Sequence, residues 1–115
     1  MADCIFCKIA AGEVPSQKVY EDDSVIAFKD LSPQAPVHVL IVPKKHIRSA
    51  ADFAAEDKEL AAHIFVDVVP KLAADLGVTD AGFRLVLNTG DDGGQTVPHL
   101  HVHLLGGRKM TWPPG

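Results

Sequence analysis

The sequence predicts an α+β fold: a single domain, residues 1–115, of about five antiparallel strands with one long helix and a short N-terminal helix. Three observations carry that expectation. Short apolar or alternating runs bounded by turn residues recur at 18–21, 24–29, 37–42, 83–88 and 99–105, as strands do. Leu60, Ile64, Val68, Leu72 and Leu76 repeat every four positions, the mark of one helical stripe. Finally, 115 residues that are 47% hydrophobic and 23% charged suit one core rather than two.

Taken in order, residues 4–11 are compact and apolar, with Ile5, Phe6 and Ile9 spaced for one or two helical turns that stop at Gly12. Val14-Pro15-Ser16 reads as an extended connector. The strands at 18–21, 24–29 and 37–42 are punctuated by Asp22-Asp23 and by Leu31-Ser32-Pro33-Gln34-Ala35-Pro36. The long helix spans 55–76 and ends before Gly77. Val66-Asp67-Val68-Val69 is strand-prone, and Pro70 lacks an N–H and crowds the carbonyl of residue 66, so a bend is expected there. After the strand at 83–88, the polar, glycine-rich loop Asn88-Thr89-Gly90-Asp91-Asp92-Gly93-Gly94-Gln95 leads past Pro98 into the last strand. The tail from Gly106 to Gly115 is too rich in proline and glycine to extend a sheet, yet it holds the chain's one tryptophan, Trp112.

That last strand carries His99, His101 and His103, three of the chain's six histidines. Strand alternation puts the three imidazoles on one face while Leu100, Val102 and Leu104 bury the other, whereas a helix would scatter them. Histidine is neutral and nucleophilic, or charged and proton-donating, near neutral pH, so such a row can supply a nucleophile, a proton carrier or a metal ligand. The plain alternative is a polar face that merely carries histidine, but half-buried imidazoles need partners that apolar neighbours do not supply.

Composition narrows the function. The formal net charge is −4 and no basic run exceeds Lys44-Lys45, which speaks against a nucleic-acid polymer and for a small ligand. No apolar stretch reaches the roughly 18 residues of a membrane span, and the first residues lack the pattern of a signal peptide, so no membrane and a cytoplasmic setting are expected. Cys4 and Cys7 form a lone C-x-x-C pair, which in a reducing compartment suggests metal chemistry before a disulfide.

The run His-φ-His-φ-His-φ-φ, with φ apolar, resembles the signature of the histidine triad superfamily of nucleotide hydrolases and transferases. Asp30-Leu31-Ser32-Pro33-Gln34-Ala35-Pro36, Val42-Pro43-Lys44-Lys45-His46-Ile47, Gly93-Gly94-Gln95 and Met110-Thr111-Trp112-Pro113-Pro114-Gly115 look like its Hint branch. The similarity spans nearly the whole chain. It implies a homodimer in which the two sheets run together. The implied reaction is hydrolysis of purine nucleoside phosphoramidates and aminoacyl or related adenylates to the nucleoside monophosphate.

On this resemblance His101 is the nucleophile that forms a nucleotidyl-histidine intermediate, and His103 holds a phosphoryl oxygen. Asn88 and the backbone N–H groups of Gly94, Gln95, Thr96 and Val97 are further oxyanion donors. Thr96, where the family commonly has serine, helps protonate the leaving group, its extra methyl being a small departure. Asp30 accepts from the ribose hydroxyls, while Phe6, Ile9, Phe28 and Leu31 form the slot for an AMP- or GMP-type base. Phe6, Phe28 and Leu31 are each equally readable as ordinary core. Trp112 resembles a tail residue that reaches the partner subunit's site. His38 supports the triad by packing and hydrogen bonding, and His63, on the helix, faces solvent.

Some bacterial members of the family hold a structural zinc, and the matching ligands here are Cys4, Cys7, His46 and His99. Catalysis itself needs no metal on this reading. The alternative for the cysteines is a pair of small buried hydrophobes. Dinucleoside polyphosphate hydrolysis, as in the Fhit branch, a purine-nucleotide-binding regulatory module with incidental turnover, and a catalytic metal on the histidine run are the competing functions.

Overall fold

In the computed structural model, which describes residues 3–115, the strands are β1 (Lys18–Glu21), β2 (Val25–Lys29), β3 (Val37–Pro43), β4 (Phe83–Val86) and β5 (Val102–Gly106). All neighbours are antiparallel, in the order β1-β2-β3-β5-β4. The expected α+β architecture is therefore present, with the long connection between β3 and β4 carrying the main helix.

Alternation gives this sheet two different faces. Val25, Ala27, Val39, Ile41, Val102 and Leu104 pack against Ile64, Val68, Val69, Leu72 and Ala73 of the main helix, forming the larger core. On the opposite face, Ile26, Phe28, Leu40 and Val42 are covered by Phe6 of α1 (Ile5–Ala10). His38 and His103 share this second face, since they alternate with the core residues of β3 and β5.

The main helix is a continuous rod made of α2 (Lys58–Ala62), a π-helical stretch (His63–Val68) and α3 (Val69–Asp75), preceded by a 3₁₀ turn at Ala55–Asp57. The expected disturbance at Pro70 takes the form of this widened turn. Pro70 offers no N–H to the carbonyl of Val66, and the N–H of Val69 reaches back five residues to the carbonyl of Ile64. The stripe survives, with Ile64, Val68 and Leu72 all buried.

β2 begins one residue later than expected, at Val25, and two strands are shorter by two residues. β4 stops at Val86 rather than Asn88, and the single strand over 99–105 is corrected to one that begins at Val102. The N–H of His99 bonds the carbonyl of Val97 at 2.8 Å, and that of Leu100 bonds the carbonyl of Ile47 at 2.7 Å, so neither enters the ladder. The first two triad histidines sit on an arch before the strand. Among the described residues, no helix is long and apolar enough to cross a membrane.

Candidate active site and metal centre

The three triad imidazoles make three different hydrogen bonds. His101 Nδ1 lies 2.7 Å from the carbonyl oxygen of His99, which can only accept, so Nδ1 carries the proton and Nε2 is left with its lone pair. His103 Nδ1 lies 2.9 Å from Nε2 of His38. The N–H of Gln34 donates to His38 Nδ1 at 3.0 Å, so in neutral His38 the proton sits on Nε2 and is donated to His103. His103 therefore accepts at Nδ1 and keeps its own proton on Nε2. One ring thus has a bare nitrogen and its neighbour, 5.0 Å away between centroids, has an N–H to offer.

Burial first, then the adjacent His101 and His38, push His103 down to about 4, and burial lowers His38 as well. Both rings are neutral at pH 7, as this tautomer arrangement requires. Phe6 stacks edge-on against His101, with centroids 5.0 Å apart, and fixes the plane of the nucleophile candidate.

The loop before the triad is held by Gln95. Its Nε2 donates to the carbonyls of Arg48 at 2.7 Å and Val97 at 2.9 Å, while its Oε1 accepts from the N–H of Gly90. This alters the expected set of oxyanion donors. The N–H of Gly94 is used by the carbonyl of Asp91 and that of Gln95 by the carbonyl of Gly90, because the loop closes on itself there. Among the described residues, the N–H groups of Thr96 and Val97 have no such partner. Gly93 is required by a close approach: a Cβ there would lie 2.4 Å from the carbonyl oxygen of Thr89.

Thr96 and Val97 line a cleft of about 720 Å³ together with Cys4, His46, Arg48 and Pro98. Asn88 lies beyond the end of β4. Val86 is the last residue of β4 in the ladder, paired with His103, and Asn88 follows it by two positions.

Phe6, Ile9, Phe28, Asp30 and Leu31 all line one cavity of about 230 Å³. That is below the roughly 300–1,000 Å³ of a pocket for a whole drug-sized ligand and suits a base-sized fragment. Phe6 and Phe28 meet edge-to-face at 5.6 Å. Leu31 is 99% exposed and touches the cavity only at its rim. Asp30 accepts from the N–H of Ser32 at 2.7 Å through Oδ1, and its Oδ2 lies 3.5 Å from His38 Nε2.

The fourth cluster brings together Cys4, Cys7, His46 and His99, whose ligand atoms all lie within 4.8 Å of one another. Cys4 caps α1 by accepting from the N–H of Cys7, and the first helical turn places the two sulfurs side by side. The bond between Leu100 and Ile47 brings His99 next to His46. His99 Nε2 donates to the carbonyl of Pro43 at 2.8 Å, which leaves Nδ1 as a lone pair 3.1 Å from Cys4 Sγ and 3.5 Å from Cys7 Sγ. His46 Nδ1 is 3.3 Å from Cys7 Sγ.

Zinc–ligand bonds of 2.0–2.3 Å in a tetrahedron put ligand atoms about 3.6 Å apart, so this donor set fits zinc. The carbonyl of Pro43 supplies the partner that orients a ligating imidazole. Burial, with Cys4 beside it, pushes the Cys7 thiol up to about 11, so only a bound cation would hold it as thiolate at pH 7. With His99 turned to the sulfurs, His101 to its own backbone and His103 to His38, the three triad rings do not converge on a common ion.

Two expected residues behave differently. Trp112 is 82% exposed, not buried against the described residues of its own chain; its neighbour Thr111 is held through its carbonyl by Arg84 at 2.9 Å. His63 is not simply solvated. Its Nδ1 faces Asp67 at 2.8 Å and its Nε2 faces Asp22 at 2.7 Å, and Asp22 also takes the hydroxyl of Tyr20. The i,i+4 spacing of His63 and Asp67 is a sequence signal for the first contact; nothing in the sequence signals the second. Nor does any motif reveal that Gln34 bonds to His38.

Comparison with known proteins shows the family. The HIT domain pattern matches residues 11–110, and the chain belongs to the HIT domain family. It is similar, at 51% identity over 113 residues, to an uncharacterized HIT-like protein of Synechococcus elongatus, with 98% of this chain and 97% of that protein covered. A 14 kDa zinc-binding protein of Brassica juncea is 48% identical, over 98% of this chain and all of that one. Among solved structures, a HIT family hydrolase from Legionella pneumophila superposes with a TM-score of 0.95 at 53% identity, covering 98% of this chain and 100% of that one.

Proposed function

We propose that this chain is a nucleotide hydrolase of the phosphoramidase type. It would cleave the P–N bond of purine nucleoside phosphoramidates, and related adenylates, to the nucleoside monophosphate. The observation that carries the reading is the pair of opposite tautomers, a lone pair on His101 Nε2 beside an N–H on His103 Nε2.

The base occupies the cavity of Phe6, Ile9 and Phe28, with Leu31 at its rim and the ribose hydroxyls donating to Asp30. His103 Nε2–H, Asn88 and the N–H groups of Thr96 and Val97 hold the phosphoryl oxygens, with Gly94 and Gln95 shaping the loop. His101 Nε2 attacks phosphorus, the P–N bond breaks, and the leaving nitrogen takes a proton through the Thr96 hydroxyl. Water then attacks phosphorus, the bond to His101 breaks, and the water's proton replaces the one consumed. The steps sum to phosphoramidate plus water giving amine plus monophosphate.

Zinc at Cys4, Cys7, His46 and His99 is structural on this reading, fastening α1, and with it Phe6, to the triad arch. The similarity to a zinc-binding relative supports it. The thiols are free, which fits a reducing, cytoplasmic setting. We read the protein as a homodimer joined along β4. The other edge, β1, carries a bulge and the ion pairs of Glu21 with Lys18 and Lys44, whereas Leu85 of β4 and Phe65 and Val66 of the helix leave apolar surface exposed. Trp112 would then reach the partner's site.

Incubation with an adenosine phosphoramidate should release AMP, and His101→Ala should lower that rate by at least about 10³-fold. Undiminished release from the variant would overturn the assignment of the nucleophile. Faster turnover of dinucleoside polyphosphates would move the protein to that activity, and tight AMP binding with turnover equal to the variant's would make it a binding module.

A further inference from the structure

A chain of hydrogen bonds runs from the C-terminal tail to the phosphate-side histidine. Arg108 Nε and Nη2 both donate to the carbonyl oxygen of Gln34 at 3.0 Å, a two-pronged grip on one backbone group, and Nη1 reaches the carbonyl of Lys109 at 3.3 Å. Gln34 in turn donates its N–H to His38 Nδ1, and His38 donates to His103 Nδ1. The tail rests against the same loop at a second point. A Cβ on Gly107 would lie 2.8 Å from Cβ of Pro36, so only glycine permits that approach.

The Gln34 amide decides more than the position of His38. While it donates to Nδ1, His38 must carry its proton on Nε2, and His103 must carry its own on Nε2. If the amide withdraws, His38 can instead hold a proton on Nδ1. His38 Nε2 then becomes an acceptor, His103 has to donate from Nδ1, and its Nε2 becomes a lone pair. A phosphoryl oxygen would meet a lone pair where it had met a donor. Asp30, 3.5 Å from His38 Nε2, is the other group that competes for that proton.

The loop that presents the amide has little else to hold it. Between Asp30 and Val37 it contains Pro33 and Pro36, which donate no N–H; its base is closed by the N–H of Asp30 on the carbonyl of His38 at 3.0 Å, and among the described residues its other ties are those of Ser32 to Asp30 and of the Gln34 side chain to the carbonyl of Ser32. We propose that Arg108, although outside the site, is a positioning residue: by pinning Gln34 it sets the tautomer of His38 and so keeps His103 a hydrogen-bond donor toward phosphate. The consequence for catalysis rests on the phosphoramidase reading; the tautomer assignment does not.

The test is long-range ¹H–¹⁵N correlation of the histidine rings at pH 7.5, with kinetics in parallel, in Arg108→Ala and Arg108→Lys. The unmodified protein should show His38 and His103 both protonated at Nε2. Arg108→Ala should show mixed tautomers at both rings and a kcat lowered roughly 10-fold with KM for the nucleotide little changed. Arg108→Lys, which keeps the charge but lacks the fork, should fall between. Ring signals in Arg108→Ala identical to the unmodified protein would overturn the proposal, as would a fall in melting temperature without a tautomer change. If Arg108→Ala does not fold, the lysine variant decides by the same ring signals. An unmodified protein that turns over no phosphoramidate defeats the functional reading and leaves the ring signals to decide this one.

Discussion

At the scale of single residues, the site works by dictating which nitrogen of each ring bears a proton. Three backbone groups make those choices: the carbonyl of His99 for His101, the N–H of Gln34 for His38 and through it His103, and the carbonyl of Pro43 for His99. Because burial holds His103 near 4 and lowers His38, the folded protein refuses protons that the unfolded chain, with ordinary histidines near 6.5, would bind. Stability should therefore fall as pH drops from 6.5 toward 4, by up to about 1.4 kcal/mol per pH unit from His103 alone. Urea melts across that range, with His103→Asn as the control whose slope is shallower, measure it.

His63 has the opposite sign. Both its nitrogens face carboxylates, so it is held as imidazolium, and the bonds to Asp67 and Asp22 raise it. Its contribution is complete below pH 6.5 and is lost as pH rises through the raised value. His63→Gln should lower stability by about 1 kcal/mol at pH 6 and by less at pH 9. Gly93→Ala, forced against the carbonyl of Thr89, should cost about 1–3 kcal/mol and slow turnover, because the loop that carries Thr96 and Val97 must shift.

Among the elements, α1 owes most to chemistry beyond its own length. Six residues are too few for an independent helix, and this one is anchored by the Cys4 cap, by Phe6 in the second core, and by the sulfurs facing His46 and His99. Elemental analysis should find about one zinc per chain. Cys7→Ser should lose it and melt earlier, by roughly 4–8 °C for each kcal/mol lost, yet retain turnover at temperatures where it stays folded. Turnover that tracks metal content in folded protein would instead assign the metal a catalytic part. The main helix shows how much a repeat can tell: its four-residue stripe was legible and faces the core, with Ile64, Val68 and Leu72 buried and Leu60 and Leu76 partly buried at its ends, while the π-helical stretch before Pro70 was not, because a proline can kink a helix or widen it and the packing of Ile64 and Val68 decides which.

For the whole molecule, the two sheet edges are unlike, and the one with an exposed apolar side chain, β4 with Leu85, lies beside the histidine strand. Leu85→Glu or Val66→Glu should convert a dimer to monomers in sedimentation velocity, and the monomer should lose selectivity among leaving amines if Trp112 serves the neighbouring site. An unmodified protein that is monomeric at micromolar concentration would defeat the dimer reading.

The residue types and spacings by themselves determined the α+β class, the strands near 18–21, 24–29 and 37–42, the long helix and the identity of the histidine, cysteine and loop motifs, because periodicity and ligand chemistry are local properties. Only the tertiary structure decided that His99 and His101 stand on an arch outside the strand, that the N–H groups of Gly94 and Gln95 turn inward, and that Arg108 reaches the triad through Gln34. Each of those outcomes depends on which backbone group lies within 3 Å of which atom. Distances of that kind join residues as much as 74 positions apart, and no local pattern encodes them.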